Sequence, residues 1–476
     1  MASERGLYVG PRLRRIRRDL GLTQADMAAA LEVSASYIAL LERNNRPLTA
    51  GLLLKLAQIY DVDVAALGSG AAEDTARLQA VLKDPVFAGI DWAATEIGDL
   101  AANYPGVAEA MLRLYTTYQE GQLAFADGLA KAIGGGGGRA GEEADDAADP
   151  VAESRRFLAA RRNSFPALDD AAERLAQAVG PRENVTGYFR TRHDLRVRRV
   201  PASYMVGSTR RLDRHRQEIL LDDSLDAASQ AFQLALQLAY LEMTPEIDAV
   251  LAGGAFASEN GQRLTRRALA SYAAAAIIMP YTAFARAVEA RRYDVEALAR
   301  QFGVSFEQAA HRLTTLQKPG QERVPFFFIR VDPAGNVSKR LDGAGFPFAR
   351  HGGGCPLWNV HHAFRTPREI VTQWLELPDG QRFFSIARTV TAGGGAYGAP
   401  RVERAIALGC AEQHADRLIY TAAPGAAGPE AATPIGVTCR LCQRVECAAR
   451  SEPPIGRQIL PDDIRRTSLP FGFSDT

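Results

Sequence analysis

The spacing of apolar residues divides the chain into blocks of different character. From residue 10 to 67 the pattern is one of short helices. The first runs to Leu20 and stops at Gly21, and the second, TQADMAAAL, is capped by Thr23 with Met27, Ala28 and Leu31 on its apolar face. After a tight turn at Glu32 and Val33, Ser34 caps a third helix, SASYIALLE. Residues 72–133 keep a helical period, clearest in VAEAMLRLYTTYQEGQLAFADGLAKAI. The run GGGGG at 134–138 and the acidic stretch after it have neither backbone preference nor apolar face, and mark 134–152 as a linker. Beyond it, 153–180 reads as helix, and 185–221 as short strands (VTGYFRT, LRVRRVPASYMV, QEILLD). Helices return near 225–243, 262–292, 294–302 and 305–316. After Pro319 strand-like segments dominate (VPFFFIRVD, NVSKRL, EIVTQWLEL, RFFSIARTV, DRLIYTA), with DPAGN and PDG as turns.

The expected fold is therefore multidomain, mainly α with α+β. It comprises a five-helix helix-turn-helix domain at 1–67, a helical connector at 72–133, the linker, an α+β domain at 153–318 and a mixed α/β domain at 320–476. A length of 476 residues suits several domains of about 100–200 residues. The 47% apolar and 23% charged residues are those of a globular protein, which excludes wholesale disorder. The longest apolar stretch, residues 268–280, is 13 residues long, short of the roughly 20 that a membrane helix needs. No apolar signal core follows Met1, so a cytoplasmic protein is expected. A net charge of +1 conceals an uneven distribution: residues 1–60 hold nine cations against five anions, a basic head on a faintly acidic body. That is the footprint of a DNA-binding domain joined to something else.

The head bears out that expectation in its motif. LRRIRRDLGLTQADMAAALEVSASYIALLERNNRPLT resembles the xenobiotic-response-element class of helix-turn-helix domains. The resemblance implies that Gln24 meets a phosphate or the outermost base, and that Ser34, Ala35, Ser36, Tyr37 and Leu40 lie on the recognition helix that reads base edges. Arg43, Asn44 and Arg46 then stand near phosphate. Such domains bind pseudo-palindromic promoter DNA as homodimers or higher homo-oligomers, with 72–133 the natural interface.

The order of elements around FQLALQLAYLE, LTRRALASYAAAAIIMPYTAF and LARQFGVSFEQAAHRLTTL resembles the ImmA/IrrE zincin-like peptidases. Those enzymes carry H-E-x-x-H, two histidines on one helix face for zinc and a glutamate as base. Here the positions are Leu236, Gln237, Leu238, Ala239 and Tyr240, and the third ligand falls on Leu269. Apolar side chains cannot hold zinc, so no peptidase activity is expected and the vacated groove becomes either a ligand pocket or mere packing. His311, alone on its helix, is read as structural.

Three cysteines, Cys439, Cys442 and Cys447, form C-x2-C-x4-C, with Cys410 as the fourth ligand candidate, His414 beside it, and Cys355 as a separate possibility. Structural zinc, buried or paired thiols and an iron–sulfur cluster all remain open for this set. The segments VPFFFIRVDPAGNVSKRL, GGGCPLWNVHHAF and TPIGVTCRLCQRVECAARSEPP, together with the earlier domains, resemble the short-chain fatty acyl-CoA regulators of bacteria. The resemblance implies a transcription factor with a short acyl-CoA, acetyl- or propionyl-CoA, as effector. Lys339 and Arg340, or Arg192, Arg196, Arg198 and Arg199, are the phosphate candidates, and Trp358, His361 and Phe364 the candidates for the acyl or adenine end. Two other function classes are carried beside it: a metallopeptidase-like enzyme acting on a partner repressor, and a thiol-based redox regulator.

Overall fold

The computed structural model describes residues 149–341 without a gap, most of 22–60 and 343–473, and scattered positions within 10–17 and 75–118. The expected linker at 134–148 and the break at 68–70 lie outside the described residues. The chain forms two compact units, Met1–Gly121 and Gln122–Thr476.

In the first unit, α1 (Gln24–Leu31) opens on a capping box: the Thr23 hydroxyl accepts from the Asp26 amide while the Asp26 carboxylate accepts from the Thr23 amide. It ends at Glu32, which adopts the left-handed conformation (φ 57°) that closes the tight turn. Ser34 then caps α2 (Ala35–Glu42), and α3 (Ala50–Tyr60) follows. Leu13, Met27, Ala28, Leu31, Ile38, Leu41 and Leu56 form one small core. Described positions at 13, 14 and 17 are helical, as expected of the first helix. A separate core of Leu78, Ile97, Ala101, Ala108 and Leu112 forms around α4 (Ala94–Asn103), so the connector is helical where described.

The second unit begins with α5 (Pro150–Ala160), α6 (Pro166–Val179) and α7 (Val185–His193). The strand expected at VTGYFRT is thus a helix. Val185, Tyr188 and Phe189, at helical spacing, put one apolar stripe onto the core, and this outweighs the β-preference of the segment. Strand β1 (Arg196–Val200), the short α8 (Ala202–Met205), β2 (Arg210–Asp213) and β3 (Glu218–Asp222) make a three-stranded sheet, with β3 central, parallel to β1 and antiparallel to β2. Helices α9 (Ala227–Glu242), α10 (Thr244–Ala252) and α11 (Glu259–Ile278) pack on it. Pro280 ends α11 and starts α12 (Tyr281–Ala290), so the long helix expected at 262–292 is two. The helices α13 (Val295–Phe302) and α14 (Phe306–Leu313) complete the helical layer.

The rest of the unit is built on a six-stranded sheet in the order β5-β4-β8-β7-β6-β9. Its strands are β4 (Phe327–Val331), β5 (Val337–Leu341), β6 (Val371–Glu376), β7 (Arg382–Gly393), β8 (Arg401–Ala411) and β9 (Thr433–Pro434). All neighbours are antiparallel except β6 and β9, which makes the sheet mixed. The expectation of a mixed α/β domain narrows accordingly: among the described residues after Leu313 the helical turns are all 3-10. DRLIYTA, expected as a strand, forms such turns. Ile419 N–H is bonded to the Arg292 carbonyl and the Tyr420 hydroxyl accepts from Val295 N–H, so the segment is docked on the helices with no strand beside it. Strand β8, unanticipated, is central because both its faces are buried and its small residues conceal the alternation. At Gly409 any side chain would collide with the Phe327 ring and the Phe384 carbonyl.

Phe328, Phe384, Ile386, Leu408 and Cys410 face α12–α14, whereas Phe327, Ile329, Phe383 and Ala407 face the segment carrying Phe346, Cys355 and Trp358. The first of these cores runs without interruption from Ala275 to Leu418, across the boundary expected near 318–320. One buried ion pair closes the helical part. Arg312 Nη2 meets Asp169 Oδ1 at 2.7 Å with both side chains fully buried; Tyr272 donates its hydroxyl to Asp169 Oδ2 (2.6 Å), and Arg312 Nε donates to the Met279 carbonyl (3.2 Å). Removing one partner leaves a buried charge uncompensated, so Arg312→Met should lower the unfolding free energy by about 3–5 kcal/mol, read in urea melts of the full chain. Arg263→Met, which breaks an exposed pair with Glu259, should cost less than about 1 kcal/mol.

Candidate DNA-binding and effector sites

The helix-turn-helix presents a readable face. Ser34, Ala35, Ser36, Leu40, Arg43 and Arg46 are exposed, and Tyr37 is half-buried against the small core. The Ser34 hydroxyl caps α2 by accepting from Tyr37 N–H (3.1 Å) and shares a hydrogen bond with Ser36 (2.9 Å). Asn44 lies outside the described residues. Gln24 is tied into the domain by one hydrogen bond. Its amide donates to Glu42 (2.7 Å), which also takes Arg17 Nε (2.6 Å). Burial pushes the Glu42 carboxyl up, but the bonds from Arg17 and Gln24 outweigh it and hold it below its ordinary value. This trio locks the end of α2 to the start of α1.

In the second unit the helix that carries metal ligands in the peptidases is α9. Leu236 and Tyr240 pack against the core, Gln237 is buried, and Leu269 is fully buried. The Arg210 guanidinium lies over the Tyr240 ring (5.5 Å) and donates to the Gln233 carbonyl (3.1 Å), its pKa lowered by burial. Arginine and packed apolar groups thus occupy the flank of α9 that carries Leu236 and Tyr240, which fits packing, one of the two alternatives the sequence left open there.

The open groove lies on the opposite flank of α9, with a volume of about 990 Å³. Leu234, Ala235 and Leu238 of α9 form its floor, Val179 of α6 and Ile277 and Ile278 of α11 its walls, and Arg182, Arg199 and Gln230 bring polar atoms to it. Arg199 Nε donates to Gln230 Oε1 (2.8 Å); Arg182 donates to the carbonyls of Gly303 (2.7 Å) and Ala227, which fixes it across the groove's edge. A largely apolar cavity with a few oriented cationic donors suits a ligand with an apolar end and an anionic end. Arg182 was not singled out from the sequence, where no local pattern marks it.

The other ligand candidates do not meet there. Lys339 and Arg340, adjacent on β5, point to opposite faces of the sheet: Lys339 is beside Glu307, Arg330 and His311, and burial pushes its pKa down to about 8. Burial, and then the Lys339, Arg312 and Arg330 cations, hold the His311 pKa well below its ordinary value, and the ring packs edge-on to Phe328. Trp358 is buried in the core on the other face, its indole N–H on Ser385 (3.3 Å). His361 is largely buried beside Gly354, its pKa lowered by burial and then by His362, and Phe364 is half-buried against the same core. Arg192, Arg196 and Arg198 are exposed on α7 and β1.

The cysteines also regroup. Cys410 belongs to the core on the helical face of the sheet, whereas Cys355 belongs to the core on the other face and lines one small cavity with Cys439, Cys442 and Cys447. The sheet separates Cys410 from the other four, so the expected set with Cys410 as fourth ligand does not assemble. His414 stays beside Arg417 and Asp416 on the Cys410 side. Arg450, itself buried, folds the cysteine loop by donating to the carbonyls of Cys439 (3.0 Å), Cys442 (3.1 Å) and Arg444 (2.6 Å). Gly436 is required at its position because a Cβ there would stand 2.7 Å from Cys442 Sγ. No three His, Cys, Asp or Glu side chains among the described residues converge as a ready metal site.

Residues 13–67 match the helix-turn-helix family, 190–314 the IrrE N-terminal-like domain, and 315–471 the family described as short-chain fatty acyl coenzyme A regulator, C-terminal. The chain is 39% identical to the propionyl-CoA carboxylase regulator of Cereibacter sphaeroides, covering 98% of this chain and 99% of that one. It belongs to the short-chain fatty acyl coenzyme A regulator family. Two further relatives, both from Mycobacterium tuberculosis, are the HTH-type transcriptional regulators RamB (37% identity, 98% of each chain) and PrpR (35%, 98% of this chain and 96% of that one). A solved Mycobacterium tuberculosis transcriptional regulator matches with a TM-score of 0.64 at 37% identity, over 68% of this chain and 99% of that one.

Within this family member the two cysteine environments differ chemically. Burial pushes the Cys410 thiol up to about 12, with Asp416 adding to it, whereas Cys439 and Cys447 are half-buried at the rim of their cavity. Timed alkylation of the folded protein at pH 8 after treatment with a chelator, read by peptide mass mapping, should therefore label Cys439 and Cys447 and leave Cys410 unlabelled until the chain is unfolded.

Proposed function

We propose that this protein binds promoter DNA through α2 as a homodimer and takes a short-chain acyl-CoA, acetyl- or propionyl-CoA, as effector in the α9 groove, so governing genes of short-chain fatty acid metabolism. The observation that carries the effector reading is the groove itself. Its apolar floor and walls suit an acyl chain, and Arg199 and Arg182 suit the phosphates of coenzyme A. Its volume of about 990 Å³ lies at the upper end of the ligand-site range of roughly 300–1,000 Å³, as a nucleotide-bearing ligand requires. The DNA reading is supported by exposed Ser36, Leu40 and Arg43 on one helix face, in a family whose relatives here are named transcriptional regulators. We read no peptidase chemistry at α9, since Leu236 and Leu269 offer no donor to a metal and the Tyr240 ring is covered by the Arg210 guanidinium.

Thermal-shift titration of the full chain tests this reading, because a ligand bound by the native state raises the melting point by mass action. One of acetyl-CoA or propionyl-CoA should stabilise more than free CoA, and the free acids should not stabilise. Arg199→Ala should weaken that ligand by about tenfold or more, the loss of a charge-assisted hydrogen bond. Ala231→Trp, which fills the groove from its half-buried rim, should abolish the shift. In DNA binding, Arg43→Ala should lower the slope of log affinity against log salt by about one. Equal shifts with acyl-CoA and free acid would overturn the effector assignment.

A second reading concerns the thiols. We infer that a metal, structural zinc being one of the options the sequence leaves open, would be held by Cys355, Cys439, Cys442 and Cys447, since four sulfur donors suit zinc or an iron–sulfur cluster. Ser451 N–H is directed at Cys439 Sγ (3.4 Å) and so helps to fix that side chain at the cavity. Redox sensing through Cys355 is disfavoured, since burial pushes its thiol up and Cys439 and Cys447 add to the effect. Metal analysis of the purified protein should show metal that Cys439→Ser and Cys355→Ser lose and Cys410→Ser retains.

A further inference from the structure

Residues 190–216 hold nine arginines against two aspartates, a net of +7 within a chain whose net charge is +1. This exceeds the charge of the helix-turn-helix, yet the segment lies in the other unit. The fold gathers much of it at one corner. The C-terminal turn of α7 carries Arg190 and Arg192; the chain turns at Asp194 (φ 53°) and enters β1 at Arg196. Arg196 N–H donates to the Gln217 carbonyl (2.9 Å), which brings it beside the turn between β2 and β3 that holds Arg214, His215 and Arg216.

The carboxylates nearby are already engaged. Glu242 takes His193 (2.7 Å) and the Tyr188 hydroxyl (3.1 Å), Glu218 takes Arg198 (2.9 Å), and Asp213 accepts the backbone N–H groups of His215 and Arg216 (both 3.0 Å). Asp194 is left against Arg190, Arg192, Arg196, Arg214 and Arg216, all five exposed and none of them in an ion pair among the described residues. Some arginines elsewhere in the same unit do find carboxylates, as Arg266 does with Asp248, Arg330 with Glu307, Arg388 with Glu296 and Arg417 with Glu289. Clustered, unpaired guanidinium groups repel one another, and an external polyanion relieves that repulsion.

We propose that this corner is a second DNA-contacting surface, which binds the phosphate backbone of duplex DNA without reading sequence. A protein partner would need apolar anchors to form a stable interface, and the exposed large apolar side chains within 190–216, Tyr204 and Val206, belong to α8 and the residue after it and not to 190–198 or 211–216. A phosphate backbone needs only charge and donors, which guanidinium groups supply in planar pairs. The inference rests on the helix-turn-helix binding DNA: both surfaces belong to one chain, so binding at the first raises the effective concentration of duplex for the second.

The test is the full chain against a random-sequence duplex of 60 base pairs, with affinity measured across a salt series. Each phosphate contact contributes about 0.9 to the slope of log affinity on log salt. The variant Arg192→Ala/Arg196→Ala/Arg214→Ala/Arg216→Ala should lower the slope by about 2–4 and weaken binding by about tenfold or more near physiological salt. The matching four-lysine variant should keep the slope, since point charges suffice. Because all four residues are exposed, an unchanged melting point and an unchanged acyl-CoA shift confirm that the alanine variant is folded. An unchanged slope and affinity in that variant, with wild type binding normally, would overturn the second surface and leave the helix-turn-helix reading intact. No duplex binding by wild type would overturn both. A variant that loses binding to single-stranded RNA of equal charge while keeping its duplex affinity would assign the corner to a different polyanion and overturn the proposal.

Discussion

The Asp169–Arg312 pair is the constraint on which the second unit is assembled. It joins α6 at the start of the domain to α14 at its end, 143 residues apart in sequence, and draws in Tyr272 of α11 and the carbonyl of Met279. Burial lifts the Asp169 carboxyl above its ordinary value even with Arg312 and Tyr272 drawing it down, a sign of how fully the pair is removed from water. Thr315 accepts a further guanidinium N–H at 2.9 Å, so the polar groups here satisfy one another in a site that would be costly if any one were missing. This joint fixes where α11 ends and α12 begins. Around it the two hydrophobic cores of the helical layer meet, one facing the small sheet and the other the large one.

The same cost of buried charge applies to the flank of α9 that carries Leu236 and Tyr240. Positions that in the peptidases point donors at zinc here hold Leu236, Tyr240 and Leu269, and the nearest strong cation is Arg210, stacked over Tyr240. A metal ion beside a buried guanidinium is electrostatically disfavoured. Leucine at two of these positions and the added cation act in the same direction, and the open groove lies on the other flank of α9.

How much of this could be read from the chain depends on the range of the interactions involved. Local signals were legible: Thr23 and Ser34 cap the helices they were expected to cap, and Gly303 ends α13 in the left-handed conformation (φ 62°). VPFFFIRVD reads as a strand because both of its faces are buried. The misses are long-range. Nothing near Cys410 says that a sheet will stand between it and Cys439, and C-x2-C-x4-C does not reveal that Cys355, more than eighty residues earlier, shares its cavity. Gln24 reads as a DNA contact from its place in the motif, which does not show its hydrogen bond to Glu42, eighteen residues on. Lys339 and Arg340 read as a phosphate-binding dipeptide, but strand alternation sends them to opposite faces, which no inspection of residue type would show without the register.

Position also explains why the α9 groove is suited to control. Ile277 and Ile278, which wall it, are the last residues of α11, and the next residue, Met279, gives its carbonyl to Arg312. Tyr281, two residues further, donates its hydroxyl to the Gln321 carbonyl (3.0 Å) and accepts from Lys318 N–H (3.1 Å), on the segment that leads into β4. A ligand seated in the groove therefore bears on the joint that unites the helical layer with the large sheet. A close-packed joint of this kind does not deform smoothly; it holds one arrangement or passes to another. The free energy with which an effector prefers one of them is the whole of the signal it can send, so the residues that wall the groove and those that lock the joint set its strength together.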